Sequence, residues 1–221
     1  MSLRKELDRY RNEFRANKPE EIKAVMGEAT EDLARSGILE NCLKQGDNLP
    51  DFTLPNAVGQ NIKSRSLLAE GPIVISFYRG GWCPYCNLEL HFLQKALPEI
   101  KRLGANLVAI SPETPDNSLS TAEKNQLSFQ VLSDLGNQVA RKFGLVFTLP
   151  EQLRPLYQGF GIDIVKYNGD RSFELPIPAT YVVDRDGTIV RAFVDVDYTN
   201  RLDPEEIIAA LQELKNPAKS K

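Results

Sequence analysis

The 221-residue sequence predicts an α/β fold in which a central mixed sheet is flanked by helices and preceded by a helical extension. Three observations lead to this prediction. Short apolar runs alternate with segments of helical periodicity from about residue 72 onward. A Cys-x-x-Cys pair lies where one such run meets a helical segment. The first 40 residues show only amphipathic helical spacing. We therefore divide the chain into residues 1–40, residues 41–215 and a loose tail at 216–221.

Two amphipathic helices are predicted in residues 1–40. The second begins at Pro19, whose fixed φ suits a first helical turn, and ends at the Ser36-Gly37 step. In the first, apolar side chains recur at helical intervals among charged ones: Leu3, Leu7, Tyr10 and Phe14. Such apolar stripes need a partner, which is either the body of the same subunit or a second copy of the chain in a homodimer.

The central region predicts a β-α-β-α-β run after a pair of short strands at 52–54 and 60–63. Because a helical segment joins each strand to the next, we expect parallel crossovers. Pro98 should kink its helix rather than end it, because the apolar spacing runs straight through it. The predicted elements are strand 72–78, a helix from Pro84 to about Leu103, strand 106–111, helix 118–125, strand 129–132 and helix 135–143.

The C-terminal third predicts an insertion, a hairpin and a last helix. Residues 147–160, with several leucines and two prolines, are interpreted as an inserted helical segment. The turn at 184–187 joins the apolar runs 179–184 and 188–194 into an antiparallel hairpin. A helix at 204–214 completes the fold.

Composition excludes several classes of function. A net charge of −3 without a basic block argues against nucleic acid or an anionic membrane surface as a partner. The first residues lack the apolar core of a secretion signal, and no stretch approaches the roughly 20 apolar residues that span a bilayer. Three cysteines are not the pattern of a disulfide-stapled secreted domain. We therefore expect a cytoplasmic protein.

The Cys83 and Cys86 pair carries the predicted chemistry. Two thiols three positions apart at a strand-to-helix junction can close a disulfide ring and reopen it. A thiolate is the nucleophile, so the site should stabilise negative sulfur. With Pro84 as the first helical residue, Cys83 takes the cap position, facing the free amides and the positive end of the helix dipole. Cys83 is thus predicted to attack and Cys86 to resolve.

The surroundings of the pair set further expectations. Trp82 and Tyr85 should flank it with apolar surface while leaving the sulfurs reachable from solvent. One alternative is a pair of ordinary buried cysteines, and another is a metal site. Zinc needs four ligands and an iron-sulfur cluster usually four thiolates, and this chain offers only Cys42 and the single His91 as soft additions to the pair, so a metal site is the less favoured alternative. We expect neither metal nor cofactor, with Cys42 packed as a small hydrophobe.

Pro178 is the second candidate position, because it directly precedes a core strand. An Ile177-Pro178 bond in the cis form would expose the backbone of Ile177 to an extended substrate. The alternative is an ordinary proline at the entry of a strand. The residues alone leave both open.

These motifs resemble a known fold and family. Trp-Cys-Pro-Tyr-Cys after an apolar strand, with Pro178-Ala-Thr180 opening a later hairpin, resembles the thioredoxin fold, and Cys-Pro-Tyr-Cys is also similar to glutaredoxins. The longer frame resembles the peroxiredoxins of the alkyl hydroperoxide reductase and thiol-specific antioxidant (AhpC/TSA) type, over about residues 46–212. Its matching segments are 46–54, 76–78, 108–112, 129–134, 139–141 and 180–184.

The resemblance also reveals departures from the peroxiredoxin pattern. In that frame Cys86 takes the position of the peroxidatic cysteine, and Cys83 stands where a threonine would. Arg79 stands where a proline would, and Pro178 where an arginine would polarise the peroxide. Losing a hydroxyl and a guanidinium at the O–O bond should cost transition-state stabilisation. Arg79 is the candidate to replace them.

The resemblance implies a peroxiredoxin-like thiol oxidoreductase. A hydroperoxide or a disulfide would oxidise the pair to a Cys83–Cys86 disulfide, and a thioredoxin- or glutathione-type thiol would reset it. One alternative is a dedicated protein disulfide reductase without a peroxidase role. Another is a redox-sensing module whose disulfide state changes the contacts of the N-terminal helices.

Overall fold

The N-terminal segment forms the two predicted helices and a short third one. In the computed structural model, which describes residues 2–216, α1 spans Leu3–Asn17, α2 spans Glu20–Arg35 and α3 spans Ile38–Asn41. The sequence predicted that α2 begins at Pro19, but the helix begins at Glu20. Pro19, with ψ at 149°, is the N-cap residue just before it. Gly37 ends α2 as predicted, since its φ of 74° is a left-handed conformation that glycine adopts at low cost.

The remaining elements follow in chain order. They are β1 (Thr53–Pro55), β2 (Asn61–Lys63), α4 (Ser64–Glu70), β3 (Ile73–Phe77), α5 (Pro84–Arg102), β4 (Asn106–Ser111), α6 (Pro115–Lys124), β5 (Gln130–Ser133), α7 (Gln138–Lys142), β6 (Val146–Thr148), α8 (Arg154–Gly159), α9 (Ile164–Asn168), β7 (Glu174–Pro176), β8 (Ala179–Val183), β9 (Ile189–Val194) and α10 (Pro204–Lys215). Short 3-10 turns at Leu135–Asn137 and Glu151–Leu153 precede α7 and α8.

A five-stranded mixed sheet forms the centre, in the order β5-β4-β3-β8-β9. Strands β3, β4 and β5 are parallel, whereas β8 runs antiparallel to both β3 and β9. Every residue of β3 is buried, because helices cover both faces of the sheet. The predicted α/β class, the parallel crossovers and the hairpin are confirmed.

Several elements were not predicted, and the prediction for residues 147–160 was partly wrong. This segment does contain α8, but it starts with β6, which pairs antiparallel with β7. The pairing joins Val146 to Pro176, so no local pattern announces it. The short helices α4 and α9 were also missed, since each spans at most two turns and offers little periodicity.

The N-terminal helices pack against the body of their own subunit. Leu3 and Leu7 of α1 are buried in one cluster with Tyr78, Cys83 and Cys86. Ala29 of α2 packs in a second cluster, with Leu149, Leu153 and Tyr157. The intramolecular alternative for the apolar stripes is therefore the one the structure adopts.

Within residues 2–216, no helix is both long and apolar enough to cross a bilayer. The division at residues 40 and 215 stays a prediction. Asn216 follows α10 without regular structure, and the rest of the predicted tail, 217–221, lies outside the described residues.

Candidate active site

Two glycines shape the turn that leads from β3 into the cysteine pair. Gly80 has a φ of 151°, and a Cβ on it would lie 2.3 Å from Trp82 Nε1. A Cβ on Gly81 would lie 2.1 Å from Thr121 Oγ1. Both distances are far below van der Waals contact, so a side chain at either position would force the turn apart.

Cys83 caps α5 and Pro84 is the first helical residue, as predicted. The predicted interaction of its sulfur with the free amides is not formed, because the side chain makes no capping hydrogen bond. The expectation that solvent reaches the sulfurs is also wrong. Cys83 and Cys86 are both fully buried, since α1 and the surrounding tyrosines cover them. Neither cysteine is disulfide-bonded, and the two sulfur groups lie close enough for each to influence the ionisation of the other.

Arg79 is the partner of Cys83. Its Nη2 lies 3.3 Å from the Cys83 sulfur and its Nη1 donates to the Tyr157 hydroxyl at 2.9 Å. The guanidinium carbon lies 3.9 Å from the ring centre of Tyr198 and 5.0 Å from that of Trp82. Arg79 is only 4% exposed, and no carboxylate forms a salt bridge with it in the described part of the chain.

The electrostatics favour a thiolate at Cys83. Burial alone would raise the pKa of this thiol, because a charge is poorly solvated in the interior. The hydrogen bond from Cys86 and the positive charges of Arg79 and Arg201 outweigh burial and hold the Cys83 pKa well below its usual range. A buried guanidinium without a carboxylate needs an anion, and the Cys83 sulfur is the anion within reach.

Cys86 has the opposite character. Its pKa is raised well above the usual range by burial, by the hydrogen bond with Cys83 and by the negative charge there. Arg201 Nη2 lies 3.4 Å from the Cys86 sulfur, but Arg201 Nε also donates to Glu89 at 2.6 Å. Thr180 donates to the same carboxylate at 3.3 Å. Cys86 is therefore held as a thiol beside an arginine that is already neutralised.

The third cysteine lies apart from this site. Cys42 belongs to the main core cluster, where burial raises its pKa to about 11. The prediction that it packs as a small hydrophobe is confirmed. His91 is exposed on α5. Across residues 2–216, no group of three or more histidine, cysteine or acidic side chains could hold a metal ion.

Two cavities adjoin Arg79. The first, here called the aromatic cavity, has a volume of about 440 Å³ and reaches both Arg79 and Lys18. The second has a volume of about 240 Å³ and is lined by Arg79, Ile177 and Pro178, among others. Seven aromatic side chains line the first cavity: Tyr10, Phe14, Trp82, Tyr85, Tyr157, Phe160 and Tyr198.

The Ile177-Pro178 peptide bond distinguishes the two alternatives for Pro178, a cis bond or an ordinary proline at the entry of a strand. No cis peptide bond occurs among the described residues, so Pro178 is the ordinary proline at a strand entry. The Ile177 amide donates to the Leu145 carbonyl oxygen at 2.8 Å. This amide is therefore already paired within the chain and is not free to bind an extended substrate.

The structure brings together six of the predicted residues around the pair: Arg79, Trp82, Pro84, Tyr85, Ile177 and Pro178. The sequence interpretation missed Glu89, Glu113, Tyr157, Tyr198 and Arg201. Glu89 had a usable signal, because it stands three residues after Cys86 and so shares its helix face. Arg201 contacts Cys86 across 115 positions, and no local pattern marks it.

Comparison with known proteins places the chain in a family. The sequence profile of the AhpC/TSA family matches residues 45–192. The chain belongs to the AhpC/TSA family. This AhpC/TSA protein is 28% identical over 166 residues to the chloroplastic peroxiredoxin Q of Gentiana triflora, covering 75% of this chain and 64% of that one. It is 27% identical over 163 residues to the peroxiredoxin Bcp of Escherichia coli, covering 74% and 93%.

The fold comparison agrees. The AhpC/TSA protein superposes on the peroxidoxin BcpB of Mycobacterium tuberculosis with a TM-score of 0.62 and 23% identity, covering 78% of this chain and 98% of that one. The predicted thioredoxin-like fold is thereby confirmed. Its similarity to peroxiredoxins also confirms the prediction of a thiol-dependent oxidoreductase.

Proposed function

We propose that this AhpC/TSA protein is a thiol peroxidase in which Cys83 attacks a hydroperoxide and Cys86 resolves the product. One observation supports this assignment above all. The Arg79 guanidinium, buried without a carboxylate partner, lies 3.3 Å from the Cys83 sulfur. It stabilises the thiolate before reaction and can stabilise the charge that develops on the peroxide oxygens.

The reaction follows in two balanced steps. The Cys83 thiolate attacks one oxygen of ROOH, the O–O bond breaks, and the departing alkoxide takes a proton to leave as ROH. Cys83 is then a sulfenic acid. The Cys86 sulfur attacks it, an S–S bond forms, and the hydroxyl leaves as water after gaining the Cys86 proton. Two equivalents of an external thiol, of thioredoxin or glutathione type, reduce the disulfide and become oxidised themselves.

The aromatic cavity is the proposed entrance. Both sulfurs are fully buried, so the peroxide must pass beside Arg79 to meet Cys83. The cavity of about 440 Å³ has room for a small hydroperoxide, and its aromatic walls exclude most water from the reacting atoms. Because Leu3 and Leu7 of α1 pack against the cysteines, reduction of the disulfide by a protein thiol requires α1 to move aside.

Single cysteine variants test the order of attack. Cys86→Ser should consume one equivalent of hydroperoxide and stop as a sulfenic acid that dimedone traps on Cys83. Cys83→Ser should react at least about 100-fold more slowly, because it removes the sulfur that lies beside Arg79, and burial still opposes ionisation of Cys86. Cys42→Ser serves as the matched control and should behave like the wild type. Dimedone labelling of Cys86 in the Cys83→Ser variant at the wild-type rate would transfer the peroxidatic role to Cys86.

A dedicated protein disulfide reductase is the second candidate, favoured by the Cys-Pro-Tyr-Cys sequence. The paired amide of Ile177 weighs against it. Reduction of a protein disulfide without any peroxide turnover would favour this alternative. A homodimer through the N-terminal helices and a redox-sensing role remain further proposals, and gel filtration of both redox states tests them. We also propose a cytoplasmic location, where such thiol reductants are maintained.

A further inference from the structure

Glu113 is a fully buried carboxyl group directly beneath the active-site turn. It follows β4, and its Oε1 accepts a hydrogen bond from the Gly81 amide at 2.9 Å. Its Oε2 accepts from Thr121 Oγ1 at 3.3 Å and from the Tyr78 hydroxyl at 3.4 Å. The catalytic steps described above give this group no role.

The surroundings of Glu113 contain no cation that would keep it ionised. In the part of the chain that the structure describes, neither lysine nor arginine hydrogen-bonds to it. The titratable groups facing it are Tyr78 from the end of β3 and Cys83 from the start of α5, while α6 contributes only the neutral Thr121 hydroxyl. Burial raises the pKa of Glu113 to about 7, and the three donors oppose that rise only in part.

Tyr78 connects this carboxyl group to the cysteines. Its side chain is buried in the same cluster as Cys83 and Cys86, and its hydroxyl donates to Glu113 at 3.4 Å. We propose that Glu113, acting through the Tyr78 hydroxyl, accepts the proton of Cys86 as the Cys83–Cys86 disulfide forms and, once protonated again from solvent, supplies a proton to Cys86 when the disulfide is reduced. This inference rests on the proposed role of the pair.

The resolving step moves a proton from Cys86 to the departing hydroxyl, and a nearby base can carry it. Cys86 enters the step as a thiol, so it must lose a proton to attack the sulfenic acid on Cys83. The Glu113 carboxylate accepts this proton as the S–S bond forms. The hydroxyl of the sulfenic acid leaves and takes the proton back as water, so the carboxylate is regenerated. A group whose pKa lies near neutral pH suits both transfers.

The other charged groups at the site cannot do this. Cys83 is already a sulfenic acid at this step. Arg79 and Arg201 are guanidinium cations, which cannot accept a proton. Glu89 is the remaining buried carboxylate, but its oxygens accept hydrogen bonds from Arg201 and Thr180. Protonating Glu89 would leave Arg201 buried without its counter-charge.

The test compares wild type with Glu113→Gln, in which the side-chain carbonyl oxygen can still accept from Gly81. Glu123→Gln on the exposed surface of α6 is the matched control. Stopped-flow fluorescence of Trp82, the only tryptophan, separates peroxide attack from disulfide formation. We expect attack to be unchanged. Disulfide formation in Glu113→Gln should be about 10- to 100-fold slower above pH 7, with the difference shrinking below pH 6.

A second arm uses protein oxidised with diamide and reduced with dithiothreitol, which involves no peroxide. Here protonated Glu113 should supply a proton to the departing Cys86, so the ratio of wild-type to Glu113→Gln rates should be largest below pH 7. Tyr78→Phe should reproduce both ratios. Equal slowing at every pH in both arms would show a merely structural role and overturn the inference. A different result is that peroxide does not oxidise the wild type while the ratio of wild-type to Glu113→Gln rates with dithiothreitol is still largest below pH 7. That result would refute the peroxidase proposal and support the role of Glu113.

Discussion

The two cysteines of the site each lie beside a buried arginine, and the two contacts are almost the same length. Arg79 approaches Cys83 at 3.3 Å and Arg201 approaches Cys86 at 3.4 Å. The two contacts differ in the groups that surround each guanidinium. Arg201 is paired with Glu89 at 2.6 Å, with both side chains only 1% exposed, whereas the Arg79 guanidinium is surrounded by aromatic rings and a tyrosine hydroxyl.

This difference explains why one sulfur is a nucleophile and its neighbour is not. A buried cation that shares its charge with a carboxylate stabilises a nearby thiolate less than a buried cation without such a partner. Distance to an arginine is thus a poor guide to reactivity. The charge that remains after the partners of the arginine are counted decides which cysteine ionises.

The largest expected effect concerns the paired arginine. Arg201→Met should lower the free energy of unfolding by about 3–5 kcal/mol, because it leaves the Glu89 carboxylate buried without a counter-charge. Urea denaturation under reducing conditions measures this. The exposed pair Arg102 and Glu99 is the control, and Arg102→Met should cost less than about 1 kcal/mol. The double variant Glu89→Gln/Arg201→Met should recover most of the lost free energy of unfolding. If Arg201→Met alone loses no more stability than Arg102→Met, Arg201 is not the paired, stabilising arginine.

The unpaired arginine should matter for rate rather than for stability. Arg79→Met should slow the oxidation of Cys83 by hydroperoxide about 10²- to 10³-fold, because it removes the donor that faces the developing charge. Stopped-flow fluorescence of Trp82 measures the rate. Arg79→Lys keeps the positive charge but loses the planar guanidinium, so its oxidation rate should lie between those of the wild type and Arg79→Met. A rate for Arg79→Met within threefold of the wild type would remove Arg79 from the proposed mechanism.

The pH dependence of alkylation should distinguish the cysteines directly. The pKa of Cys83 lies well below its usual range, so its thiolate persists as the pH falls until that lowered pKa is reached. Between pH 8 and pH 6 its relative rate with iodoacetamide should fall much less than that of a cysteine of ordinary pKa near 8.5, which slows about 80-fold. Cys42, with a pKa of about 11, should remain unlabelled in the native protein. Residue-resolved mass spectrometry measures the alkylation of Cys83 and of Cys42 separately. An alkylation rate of Cys83 that falls as steeply as that of an ordinary cysteine would rule out the thiolate.

The sequence was sufficient to predict what depends on neighbouring residues. The strand Asn106–Ser111 was predicted with its observed bounds, and Pro84 begins its helix as expected. Contacts between distant residues could not be predicted in this way. Glu89 and Arg201 meet across 112 positions, and β6 finds its partner β7 after two intervening helices. Periodicity showed that the N-terminal stripe must be covered, but it does not specify the surface, so the burial of the sulfurs was missed.

The smallest expected effect concerns the orientation of Arg79. Tyr157 is 4% exposed, and its hydroxyl accepts from Arg79 Nη1 at 2.9 Å while Nη2 faces Cys83. Tyr157→Phe removes a hydrogen bond from the charged guanidinium, worth about 1.5–3 kcal/mol, but Arg79 stays beside Cys83, so peroxide oxidation should slow only about fivefold. In the Arg79→Met background the same substitution should change nothing, because the group it orients is gone. Equal effects of Tyr157→Phe in both backgrounds would mean that the hydroxyl acts independently of the arginine.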